Sequence, residues 1–145
     1  MIKIPFRQAI ILFAAATLAA GCMLAPGQPA AAPSGNVLGN SRQAGPFTVL
    51  LLGTPNPPVR GGNTLEAVIT DAKGEAVDGA RVSFDLDMTT MSHGKNVVVA
   101  TARGAGHYVG AVSYAMGGPW RVIVTVEKAG QPPQSVRFEL SVSTR

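Results

Sequence analysis

Residues 120–127 read Trp120-Arg121-Val122-Ile123-Val124-Thr125-Val126-Glu127. Trp120, Val122, Val124 and Val126 fall on one side of an extended chain. Arg121, Ile123, Thr125 and Glu127 fall on the other. A period of two is the mark of a strand with one face turned inward. The same pattern recurs on both sides. Toward the C-terminus, Val136, Phe138, Leu140 and Val142 alternate with Arg137, Glu139 and Ser141. Toward the N-terminus, Val82, Phe84 and Leu86 alternate with Ser83, Asp85 and Asp87 over residues 80–87. Further strands are expected over 47–52, 64–70, 96–101 and 108–116. In the second of these, Leu65, Ala67 and Ile69 share a face; in the last, Tyr108, Gly110, Val112, Tyr114 and Met116 do.

Turn residues punctuate these runs: Pro55-Asn56-Pro57-Pro58, Gly61-Gly62, Asp71-Ala72-Lys73-Gly74, Gly104-Ala105-Gly106, Gly117-Gly118-Pro119 and Gln131-Pro132-Pro133. No stretch after residue 46 has a helical period with caps. About seven short strands in about a hundred residues point to an all-β fold, an antiparallel β-sandwich of immunoglobulin-like type.

The first part of the chain differs. Lys3 and Arg7 precede an apolar run from Ala9 to Ala20. That run is shorter than the roughly 18–20 residues needed to span a bilayer, and it ends in small residues, as a signal peptide does. Ala19-Ala20-Gly21-Cys22 resembles the lipobox of bacterial lipoproteins. The resemblance implies cleavage before Cys22 and acylation of Cys22, the single cysteine. The competing reading is a plain signal peptide with Cys22 as a spare thiol, a liability in an oxidising compartment. Residues 22–45 are rich in Ala, Pro, Gly, Ser and Asn, and read as a flexible, disordered tether. The expected organisation is a signal peptide over 1–21, a lipidated tether over 22–45 and a β-sandwich over 46–145.

The formal charge is +4, with 12 basic and 8 acidic residues. Without Lys3 and Arg7 the basic count falls to 10, so the excess is small. No basic stripe with interleaved aromatics is present, which argues against a nucleic-acid partner.

The residues with most chemical content lie at Met88-Thr89-Thr90-Met91-Ser92-His93-Gly94. Thioether sulfur is a soft, neutral ligand that suits Cu(I) and is poor for Mg(II). Methionine also forms no disulfides outside the cytoplasm. Met88, Met91 and His93, with Met116 from a later segment, therefore form a candidate Cu(I) set. Each has a plainer reading as well. Met88 shares the parity of Val82, Phe84 and Leu86 and suits the core. Met116 continues the Tyr108–Tyr114 face, where a core role is favoured. Met91 lies beyond the strand in a polar loop, where burial gives no reason for a methionine. His93 alone would be an ordinary surface histidine. His107, opposite in parity to Tyr108, is expected in solvent. Trp120 is expected as the central core aromatic. Asp85 and Asp87 read as a solvated strand face. No nucleophile elbow or phosphate loop accompanies them, so an enzyme is not expected.

The run from Asp71 through Gly79-Ala80, with Val82, Phe84, Met88, Met91 and His93 after it, resembles the YtkA-like domain. So does Gly106-His107-Tyr108 with Val112, Tyr114 and Met116-Gly117-Gly118-Pro119-Trp120. The resemblance covers roughly residues 45–143. It implies a small extracytoplasmic β-sandwich, related in pattern to FixH-like proteins, of a kind tied to copper handling. Thr89 and Thr90 stand where the family pattern often has a tighter methionine cluster. The expectation is therefore a lipid-anchored extracytoplasmic protein on a bacterial membrane, inner or outer. It would bind Cu(I) and exchange it with a copper donor or acceptor such as an oxidase or efflux component. The alternative is a metal-free interaction module of a membrane complex.

Overall fold

The computed structural model describes residues 35–91, 94 and 96–144. Ten strands follow one another without a helix among these residues: β1 (Asn36–Val37), β2 (Arg42–Ala44), β3 (Phe47–Thr54), β4 (Gly61–Thr70), β5 (Arg81–Met88), β6 (Val97–Val99), β7 (Thr101–Gly104), β8 (His107–Tyr114), β9 (Gly118–Glu127) and β10 (Gln134–Val142). One sheet runs β1-β3-β4-β8-β7, with β2 also paired to β3; the other runs β10-β9-β5-β6. Every pairing between these strands is antiparallel. The fold is the expected all-β sandwich. The seven expected strands are β3, β4, β5, β6, β8, β9 and β10.

Three short strands add to them. β1 and β2 lie within the stretch expected as tether, and both pair along the edge of β3. β7 prolongs β6 after a crossing at Ala100, so one extended stretch serves both sheets: β6 pairs with β5, and β7 with β8.

The period of two does what the sequence demands. Val82, Phe84 and Leu86 of β5 and Val122, Val124 and Val126 of β9 meet Val49, Leu51, Leu65, Ala67, Ile69, Tyr108 and Tyr114 across the core. Gly110 breaks the large residues of β8 for a reason: a Cβ there would lie 3.1 Å from the Phe84 ring.

The end of the sandwich holding residues 71–80 is tightly pinned. Asp71 Oδ1 accepts from the backbone N–H groups of Lys73 and Glu75, closing the turn at Gly74. Asp78 Oδ1 accepts from Gly106 N–H at 2.8 Å. The Tyr108 hydroxyl donates to Val77 O at 2.7 Å and accepts from Ala80 N–H at 3.1 Å. The Lys128 ammonium donates to Asp78 O.

Tyr114 is the counterexample. It is fully buried, packed edge-to-face on Trp120 with ring centroids 5.1 Å apart, and its hydroxyl has no hydrogen-bond partner. Burial pushes its pKa well above the usual tyrosine value, and burial likewise raises that of Tyr108. An acid whose pKa is raised on folding keeps its full stabilising effect below the unfolded value, near 10. That effect is lost as pH rises further, because only the unfolded chain then ionises. Tyr114→Phe removes an unpaired buried hydroxyl. It is expected to stabilise the domain by about 1 kcal/mol at neutral pH and to shallow the stability loss above pH 10. Thermal melts from pH 7 to 11 check both.

Candidate metal centre

Three loops meet at the end of the sandwich opposite Asp71 and Asp78. They are the β3–β4 loop, the β5–β6 loop and the β8–β9 turn. Strand direction places them together: β5 ends at Met88, β8 ends at Tyr114, and β4 begins at Gly61, which pairs with Tyr114. Met88 pairs with Trp120 across β5 and β9. All three methionines of the folded domain therefore gather at one end.

Their environments differ. Met88 is 5% exposed and belongs to the core cluster, as its parity requires. Met91 is 54% exposed, three residues beyond it. Met116 is 36% exposed, which corrects the core role expected for it. The physical reason is that β8 stops at Tyr114, so alternation no longer decides where Met116 points. The Met116 carbonyl instead accepts from the Trp120 indole N–H at 3.0 Å. Pro119 O accepts from Thr89 N–H at 3.2 Å and from the Thr89 hydroxyl at 3.4 Å. These bonds tie the segment carrying Met91 to the turn carrying Met116. Trp120 is buried against Tyr114, as expected of the central aromatic. His93 belongs to the same loop by sequence and lies outside the described residues, as does Cys22.

One buried and two exposed thioethers at one end offer soft, neutral donors of the kind that suit a low-charge cation. Among the described residues, no three of His, Cys, Asp and Glu gather into a metal-holding group. Asp87, one residue before Met88, does not join the thioethers. Its Oδ2 lies 2.5 Å from an Arg121 nitrogen across the outer face of β5 and β9. Asp87 is half-buried and paired, not a freely solvated group.

His107 requires a second correction. It is 7% exposed rather than in solvent, with Nδ1 2.5 Å from Oε1 of Glu66, itself 3% exposed. The register explains the contact. His107 pairs with Val68, two residues from Glu66 on β4, so both side chains leave the same face of the sheet. Glu66 has no motif around it and is 41 residues away in sequence, so no local pattern points to the pair. The pair is far down β8 from the methionine end. His107→Leu would take one hydrogen-bond partner from the buried Glu66 carboxylate and is expected to cost about 1–3 kcal/mol. Urea denaturation measures it.

An immunoglobulin-like sandwich with thioethers gathered at one end defines the class of protein. More narrowly, the YtkA-like family matches residues 41–125, and the chain belongs to that family. Solved structures with a similar fold include a DUF4426 family protein of Pseudomonas aeruginosa. It has a TM-score of 0.52 at 13% identity, covering 74% of this chain and 99% of that one. FetP of uropathogenic Escherichia coli, expressed recombinantly in the periplasm, has a TM-score of 0.56 at 15% identity, covering 75% and 96%. A copper-bound variant of FetP has a TM-score of 0.56 at 14% identity, covering 76% and 93%. No curated protein matches the chain.

Proposed function

We propose that this chain is an extracytoplasmic copper-binding protein, tethered to a bacterial membrane by a lipid on Cys22. It would carry Cu(I) on methionine and histidine and hand it to another protein. The observation that carries the reading is the convergence of Met88, Met91 and Met116 on one end of the sandwich. Two further points support it. A similar fold is copper-bound in the FetP variant, and FetP was produced in the periplasm.

In this reading Cu(I) is cargo rather than a resident cofactor. Met91 and His93 are the outer ligands, and Met88 or Met116 completes the set. The protein does no chemistry on the ion; it is a binder, not an enzyme. Exposed ligands allow handover by exchange: a partner's ligand enters before the last methionine leaves. The partner is a copper donor or acceptor, such as an oxidase or efflux component.

Cu(I) titration of the soluble domain, beside Met91→Ala/His93→Ala, tests the site. Competition against a Cu(I) chelator should place the variant at least about tenfold weaker, or 1.4 kcal/mol. Equal binding by the two proteins overturns the ligand assignment. No binding by either favours the metal-free interaction module.

A further inference from the structure

The place where the chain enters the sandwich bears on how the methionine end is presented. β1 pairs Asn36 with Gly53 and Val37 with Leu52, and the Asn56 side chain donates to Val37 O at 3.1 Å. The chain therefore enters the described domain beside the end of β3. That is the end at which β4 begins and β8 finishes. Residue 35 thus lies at the methionine end, about 15 Å to the side of β8 across three strand spacings. Thirteen peptide steps separate it from Cys22. They reach at most about 45 Å however they are arranged.

Charge does not choose between the ends. Among the described residues of the loops at the methionine end Arg60 is the one charged side chain, and at the other end Asp71, Glu75 and Asp78 stand among Lys73, Arg81 and Lys128.

We propose that the methionine end faces the bilayer, and that its partner is a membrane-embedded protein whose own soft ligands lie at the lipid surface. This rests on the anchor at Cys22 and on the copper reading above. The entry point carries this. The methionine end reaches the bilayer with the tether slack. The other end reaches it only if the tether runs back along the domain, about 33 Å for the ten residues of β9. That takes most of the available length.

The test uses the lipidated full chain in vesicles containing anionic phospholipid and a headgroup-linked energy acceptor. Acylation blocks Cys22, so one new thiol takes the donor dye: Ala115→Cys at the methionine end, or Ala129→Cys at the other. Both positions are exposed. Transfer from residue 115 is expected to exceed that from residue 129 at least about twofold, because transfer falls steeply over the length of a strand. Equal transfer, or more from residue 129, overturns the proposal. So does a wild-type chain that fails to float with the vesicles where Cys22→Ser also fails, which removes the anchor. The copper reading fails separately, in the soluble-domain titration. Given a bound metal, a Cu(I) chelator coupled to a lipid headgroup should strip the anchored protein about tenfold faster than the unanchored domain. Equal rates overturn the membrane-embedded partner.

Discussion

Met88→Leu/Met91→Leu/Met116→Leu is expected to lose Cu(I) affinity by about a thousandfold, or 4 kcal/mol, while its fold persists. Leucine nearly matches methionine in volume and lacks the sulfur, and such swaps usually cost under about 1.5 kcal/mol each. Only Met88 is in the core, so the stability cost falls almost entirely there. Met91→Leu and Met116→Leu act at exposed positions and should leave the melting temperature nearly unchanged. Competition titration and thermal melts on the same samples separate the two effects. Wild-type affinity in the triple variant would show that the thioethers are packing and surface, not ligands.

Gly106→Ala is expected to be the most damaging small substitution, at about 4 kcal/mol. Gly106 has φ +77°, in the left-handed region. Its N–H donates to Asp78 Oδ1, and its carbonyl accepts from Ile69 N–H at 2.9 Å. A Cβ there would collide with the Ile69 carbonyl oxygen, a backbone atom that already accepts from Val77 N–H. Neither partner can yield without breaking the pins around Tyr108. Gly74→Ala is the control. It has φ +81° but open space around the added methyl, so it should cost only about 1–2 kcal/mol. Urea midpoints of the two variants test whether collision, beyond backbone strain, sets the loss.

The long strands were legible because each buries one side, and period-two alternation survives in the sequence. β7 was hidden because Thr101-Ala102-Arg103-Gly104 is exposed throughout and has no apolar side to betray it. β1 and β2 were hidden because an edge pairing through backbone groups needs no hydrophobic pattern. The family motif Asp71 to Ala80 looked like turn chemistry, and its structural role is larger. Asp78 and the Tyr108 hydroxyl bind segments nearly thirty residues apart. The methionine cluster was half legible. Met88 and Met91 are neighbours in sequence, but only strand direction brings the Met116 turn to them. His107 was misplaced because parity tells which face a residue leaves, not whether a carboxylate from the next strand will bury with it.

The link between the Met91 segment and the Met116 turn is held less firmly than the segments around it. Around residues 71–80, side chains and backbone lock the chain at 2.7–3.1 Å. At the methionine end, Arg60, Ser143 and Asn63 hold the β3–β4 loop at 2.6–3.1 Å, whereas the loop-to-turn link at Thr89 relies on contacts of 3.2 and 3.4 Å, at the long end for hydrogen bonds. Local opening free energies follow such differences. Amide exchange should therefore be faster at Thr89 than at Arg60 or Gly106. In the copper reading proposed above, a ligand set spanning that link spends part of its binding energy on ordering it. That lowers affinity and shortens residence, the kinetic profile of a carrier rather than a store.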